Sequence, residues 1–307
     1  MADIIVQSMV LILIVALGYI LKKAGLFDKY DYRVLTKLVM YLTLPCVIVT
    51  SFSRFEWKNS LFLIPLMGLA VNCLLQLWAY ILCRKGSDED KIFYMLNTPG
   101  FSMGTFALPF IQNTLGAQGV VAACMFDAGG TVMPSGASYV CASAILKRRR
   151  EKEKISIAFA VKRMLSSPPF LAYICMITLK VLQVELPEIV LRFTGKVSDA
   201  NAFVCMIMIG MMFEIKLPRE KLIKVGKLLV SRIILSAVLS LLIITCLPLE
   251  RELRNALAIV MFSPIAALSL IFTDKMQGDI ELAGFANSLS IICSMVIMTV
   301  LMVVLKG

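Results

Sequence analysis

Two ionisable side chains sit where an apolar chain can least accommodate them. Asp127 lies in MFDAGG and Arg232 in LLVSRIILS, each deep inside a hydrophobic run. A charge at such depth costs about 2.5 to 3.5 kcal/mol on insertion scales, so each demands a partner or a task. A carboxylate there can exchange a proton or help hold a cation, and a guanidinium can take a substrate carboxylate through two parallel hydrogen bonds. The alternative is a structural pair, in which Asp127 and Arg232 neutralise each other and join helices. The stretch NTPGFSMGTFALPF, Asn97 to Phe110, offers a second kind of chemistry. Pro109 lacks a backbone donor and is expected to free the carbonyl of Thr105, and the glycines beside it ease unwinding. In hydrocarbon, such a break survives only where it is buried in protein or lines a cavity. The ends of half-helices there present N–H groups to an anion and freed carbonyls to a cation. Ser102, Gly104, Thr105, Pro109, Ser263, Pro264 and Ser269 are therefore candidate substrate-binding residues, with Thr43 and Pro45 facing them from an earlier segment.

These residues need a membrane around them. The chain of 307 residues is 59% hydrophobic with a mean hydropathy of +0.86, far above a soluble domain, so the expected fold is an all-α polytopic membrane protein. MADIIVQ carries an acidic and no basic residue before its apolar run, which reads as a retained first span and not a cleaved signal. The nine cysteines fall singly, without a CxxC pair, which argues against a disulfide framework or a structural zinc site. With no histidine, the usual general base and the commonest metal ligand are missing, and no span shows two close carboxylates or a deep lysine. An enzyme is excluded on those grounds. The 19 methionines, MIMIGMM among them, read as packing residues.

Measured against roughly 20 apolar residues per crossing, ten segments qualify: 3–21, 32–53, 60–83, 92–112, 117–146, 164–183, 188–213, 221–247, 252–273 and 279–305. KKAGLFDKYDYR, CRKGSDEDK, KRRREKEK and KLPREKLIKVGK follow odd-numbered segments and are rich in basic residues, whereas QNTLGAQG has none and the connectors at Arg54 and Arg251 are sparse. The rich loops are expected to be cytoplasmic and both termini outside. The net charge of +11 is then a topology signal, and KRRREKEK orients spans without binding nucleic acid. Lys162 and Arg163 read as headgroup charges of an interfacial helix.

Five segments lie on each side of the 147–154 connector, giving a first repeat over 1–146 and a second over 155–307. An odd number of crossings inverts the second relative to the first, the arrangement of secondary transporters. A shift of 160 residues lays FALPFI on AALSLI, Gly104 on Pro264, Asp127 on Asn287 and Asn72 on Arg232, so the polar positions form two symmetric pairs. Both repeats then break the same helix, the fourth and the ninth. Asn72 joins the substrate-binding candidates with Arg232, and Asn287 joins Asp127 as an ion-coupling candidate.

GYILKKAGLFDKYDYRVLTKLVMYLTLPCVIVTSF, SMGTFALP and FDAGGTVMPSGASY resemble the auxin efflux carrier family in its bacterial branch, related to plant PIN carriers and more distantly to bile acid:sodium symporters. The resemblance covers essentially the whole chain. It implies ten helices in two inverted five-helix repeats, with broken helices 4 and 9 crossing. It further implies a scaffold of spans 1, 2, 6 and 7, a moving domain of spans 3–5 and 8–10, and elevator-like transport of organic anions. Ser102, Ala107 and Ser269 stand where the family usually has Asn, Gly and Pro. A few isolated polar sites without a continuous lining favour alternating access over a channel or sensor. The leading substrate is a small carboxylate such as malate or malonate, moved by a proton or sodium gradient or by uniport. An auxin-like or bile-acid-like anion is the alternative. The membrane expected is the cytoplasmic one, with no cofactor beyond a coupling proton or sodium ion and with the scaffold helices as the surface for a homodimer.

Overall fold

The computed structural model describes residues 2–28, 30–55, 59–146, 157–213 and 221–306. The Lys147 to Lys154 connector lies outside the described residues. Among these residues the regular elements are helices, and one isolated antiparallel bridge joins two of their breaks. Helices or helix pairs fall on each of the ten apolar segments. They are α1 (Ala2–Lys23), α2 (Tyr32–Leu38) with α3 (Leu44–Ser53), α4 (Leu63–Cys83), α5 (Asp88–Asn97), α6 (Leu108–Gly130), α7 (Ser138–Ile145), α8 (Ile157–Leu165), α9 (Pro168–Val181), α10 (Glu188–Asp199), α11 (Asn201–Met212), α12 (Leu222–Cys246), α13 (Arg251–Val260), α14 (Leu268–Lys275) and α15 (Ile280–Lys306). Five stretches are long and apolar enough by themselves to cross a bilayer: Val6–Lys23, Tyr32–Ser53, Leu63–Cys83, Leu222–Cys246 and Ile280–Leu305. The protein is thus a polytopic membrane protein whose remaining helices are shorter and interrupted.

The interruptions follow from proline. Pro45 and Pro109 each come two residues after a single π-turn, Val39–Thr43 and Met103–Ala107. Leu44 N–H donates to Val39 O and Leu108 N–H to Met103 O, one residue wider than the α-helical ladder. Widening the ladder just ahead of the ring relieves the clash with the carbonyl four residues back. The helix therefore does not open at Pro109, as the sequence suggested. The open stretch lies earlier, at 98–102, and Pro109 sits in the first turn of α6. The segment 117–146, counted as one crossing, is interrupted as well. It runs helically from the turn at Gly116 (φ +62°) to Gly130, then passes through a π-turn at Met133–Ala137 before α7.

Close helix contacts rest on glycine, because lipid provides no hydrophobic drive between helices and small residues let backbones approach. A Cβ on Gly18 of α1 would collide with the carbonyl of Ile207, and one on Gly210 of α11 with that of Val15. A Cβ on Gly68 of α4 would strike the Phe126 carbonyl, and one on Gly129 of α6 the Pro65 carbonyl. These pairs lie in two packing sets. Helices α1–α3 and α9–α11 pack among themselves, as do α4–α7 and α12–α15. The sets meet where α3 and α11 lie on α6 and α1 on α15. Helix α8 packs on the Met133–Ala137 turn and on α9; its Lys162 is exposed, as an interfacial charge would be, and the side chain of Arg163 is outside the description.

Candidate substrate site at a helix crossing

Two chain breaks cross inside the second packing set. The first runs from the end of α5 to Ser102, the second from the end of α13 to α14. Helix α5 starts firmly, with a capping box in which Ser87 Oγ accepts from Asp90 N–H and Asp90 accepts from Ser87 N–H. It ends at Asn97 because Gly100 turns to φ +88°. Phe101 and Ile265 then pair as an antiparallel bridge, with Ser102 N–H donating to Pro264 O at 2.9 Å. Helix α13 begins and ends 163 residues after α5, so the 160-residue shift is three residues short here. By that offset Pro264 corresponds to Phe101, not to Gly104, and its carbonyl accepts from Ser102 N–H.

Unwound backbone in a membrane needs partners, and four buried side chains supply them. Arg232, 4% exposed, donates from Nη1 to Thr98 O and from Nη2 to Gly100 O (2.8 Å) and Ser263 O (3.2 Å). Its guanidinium also lies 4.7 Å from the Phe101 ring centre. Asn72 accepts from Gly100 N–H at 2.8 Å and donates to Gly68 O at 3.0 Å, with Gly130 leaving room for its amide. Asn287 donates to Ile265 O at 3.1 Å, while Ser290 Oγ accepts from Ile265 N–H at 3.1 Å. A single cation thus serves both breaks.

Asp127 does not belong to this group. Its carboxylate accepts from Tyr173 Oη of α9 at 3.2 Å, whereas Arg232 binds carbonyls. The structural Asp127–Arg232 pair weighed from the sequence is therefore not formed, and Asn72, Arg232 and Asn287 converge without the fourth member of the expected ring.

Of the residues at the breaks, Ser102 and Thr105 share a hydrogen bond of 2.7 Å at the start of the second half-helix. Gly104 lies under Leu44, where a Cβ would collide with the leucine side chain, so α3 does face the crossing beside Pro45. The Thr43 hydroxyl instead donates to Asn201 Oδ1 of α11 at 2.7 Å. Ser263 Oγ caps back onto Val260 O at 2.7 Å. Ser269 Oγ, Thr98 Oγ1 and Asn97 Oδ1 are buried without a hydrogen-bond partner, and Asn97 Nδ2 spans to Thr273 Oγ1 at 3.3 Å. Sequence reasoning missed Tyr173, Gly100, Asn201 and Ser290. Only Ser290 carried a local signal, three residues after Asn287 in ANSLS.

Broken helices that cross within an apolar helical protein, with polar side chains gathered on the freed backbone, define a membrane transporter and not an enzyme. Comparison with known proteins agrees. Residues 3–302 match the family described as Membrane transport protein, and the chain belongs to that family, the auxin efflux carriers that its motifs resemble. It is also 29% identical over 126 residues to an uncharacterized transporter of Methanothermobacter thermautotrophicus (strain Delta H). That match spans 40% of this chain and 42% of the relative's length.

Proposed function

We propose that the protein is a secondary-active carrier moving small organic anions, such as malate, malonate or other carboxylates, across the cytoplasmic membrane. The observation that carries this reading is Arg232, a fixed cation buried under the point where two broken helices cross. A positive charge held in low dielectric favours an anion nearby, and the half-helices that start beyond the crossing add the positive ends of their dipoles. Ser102, Gly104 and Thr105 on one side and Ser263, Pro264 and Ser269 on the other would contact the substrate, with Thr43 and Pro45 lining the facing helix and Pro109 shaping the turn. Asn72 and Arg232 would hold the crossing in shape from behind. Asp127 and Asn287 would serve ion coupling, by proton or by sodium.

The mechanism proposed is elevator-like alternating access by ten spans in two inverted repeats, 1–146 and 155–307, joined by a cytoplasmic connector at 147–154 with both termini outside. The equal lengths and regular offset of α5 and α13 support a repeat at the crossing. The two packing sets, each drawing on both halves of the chain, support a scaffold of α1–α3 and α9–α11 against a mobile remainder. Two copies would pair through that scaffold.

Counterflow in liposomes tests the reading. Vesicles loaded with unlabelled malonate should take up labelled malonate or malate saturably, and imposed proton or sodium gradients should reveal the coupling ion. Flux that rises linearly with concentration and shows no counterflow would mean a channel.

A further inference from the structure

The hydrogen bonds sort as the packing does. Within the α1–α3 and α9–α11 set, Thr43 binds Asn201, Lys22 Nζ donates to Phe213 O and Lys180 Nζ to Ser53 O. Within the other, Arg232, Asn72 and Asn287 hold the crossing, and Lys224 Nζ donates to Asp90 at 2.6 Å. Among the described residues, links between the sets include Tyr173 Oη donating to Asp127 with Cys124 also in hydrogen-bond reach of the tyrosine, Gln112 Nε2 donating to Ser198 Oγ at 3.2 Å and to Ser198 O at 3.4 Å, and Cys205 Sγ approaching Gly104 O at 4.0 Å.

The first of these differs in kind. Tyr173 is 2% exposed, and its ring lies 6.5 Å from that of Phe52 on α3, which fixes it to its own set. Its hydroxyl leaves that set to donate to the half-buried carboxyl of Asp127 on α6. The bond is directional, whereas the apolar contacts around it tolerate sliding. Relative movement of the two sets has to break it.

We propose that the Tyr173–Asp127 hydrogen bond is a latch between the two packing sets, which makes Tyr173 a positioning residue for the transport step. The proposal rests on the carrier reading above. It assigns Asp127 a mechanical duty beside its coupling one: the carboxylate holds one arrangement of the two sets until its acceptor is lost to the tyrosine.

The test uses the full chain with its nine cysteines replaced and a Ser102→Cys reporter at the crossing. An impermeant maleimide is applied to right-side-out and inside-out vesicles, and the ratio of the two labelling rates is read with and without malonate. Tyr173→Phe removes the hydroxyl and keeps the ring on Phe52. It should shift the ratio about tenfold, the loss of one hydrogen bond. Asp127→Asn, which retains an acceptor, should shift it less and in the same direction. Adding Tyr173→Phe to Asp127→Leu should change it no further. An unchanged ratio in Tyr173→Phe with a lowered melting temperature makes Tyr173 a packing residue and overturns the latch. Should Tyr173→Phe not fold, an Asp127→Asn ratio equal to the parent's overturns it as well. Labelling from one face alone, in the parent and every variant and at all malonate concentrations, defeats the carrier reading itself. Two-sided labelling with no response to Tyr173→Phe defeats the latch only.

Discussion

Arg232→Met probes the crossing most directly. The change keeps much of the side chain's length and apolar bulk while removing a charge and three hydrogen bonds to carbonyl oxygens, those of Thr98, Gly100 and Ser263. A buried polar group stripped of its partner costs about 1 to 3 kcal/mol, so the three carbonyls together lose roughly 3 to 9 kcal/mol. Against this, removing a cation from the depth of a span recovers about 3 kcal/mol. The balance is a destabilisation of about 0 to 6 kcal/mol, centred near 3, a large part of the 5 to 15 kcal/mol that holds a typical protein together. Arg232→Lys should lose less, since it keeps the charge but cannot span two breaks with a planar fork. The assay is thermal unfolding of the detergent-purified protein, followed by malonate counterflow of whatever folds. Guanidinium ion should raise the melting temperature of an Arg232→Gly variant and leave the parent unaffected. If Arg232→Met melts like the parent and Arg232→Gly gains nothing from guanidinium, the carbonyls are met in some other way and the account of the crossing is wrong. If it melts like the parent and only KM rises, Arg232 acts on the substrate and not on the backbone.

Three further outcomes follow from the same geometry. Gly100→Ala should destabilise the protein by about 1 to 2 kcal/mol, because φ +88° strains any L side chain and a Cβ would press on Pro134 and Ala266 at 3.0 and 3.1 Å; a parent-like melting temperature would contradict this. Pro109→Ala should change stability by less than about 1 kcal/mol, since proline is tolerated in the first turn that it occupies; a large loss would restore Pro109 as the origin of the break. The Lys221–Asp279 ion pair before α12 and α15 gives a pH signature. Burial works to raise the Asp279 carboxyl, but the bonds from Lys221 and from Leu282 N–H outweigh it and leave it lowered, while the bond to Asp279 raises Lys221. The acid's contribution is therefore complete above its unfolded value of about 4 and fades as pH falls through the lower folded value; the lysine's is complete below about 10.4 and fades above it. Asp279→Asn should melt below the parent at pH 7 and converge with it only as pH falls below the lowered folded value, measured by thermal unfolding across pH.

The helical segments were legible because apolar runs have a fixed minimum length and basic loops punctuate them. Their edges agree with α1, α4, α12 and α15 to within a few residues. The interruptions were harder. Pro109 reads as a break, yet i→i−5 bonds at Ala107 and Leu108 absorb it, and the opening falls at Gly100, whose left-handed φ has no marker in PGF beyond the glycine itself. Arg232 announced that it needed partners without saying which. An acidic partner was the natural guess from composition, since Asp127 is the other deep charge; backbone carbonyls leave no trace in a pattern of side chains. Tyr173 was invisible for a related reason. A tyrosine in FLAYICMI looks like a membrane-facing aromatic until the fold brings α9 against the carboxylate. The 160-residue register, set by laying 60–83 on 220–243 and FALPFI on AALSLI, does not carry over to α5 and α13, which are offset by 163 residues.

The side chain that closes the crossing also sets a clock for making the protein. Thr98 and Gly100 leave the ribosome 134 and 132 residues before the arginine that satisfies them. At about 5 to 20 residues per second, the opened backbone waits on the order of 10 s for its cation. During that interval the first half has a broken helix whose carbonyls belong to nothing yet made. Water, lipid headgroups or the insertion machinery must attend it. The first five segments are therefore not a module that matures and then receives a second, but half of a joint, and the joint closes only when the chain has come back to meet itself.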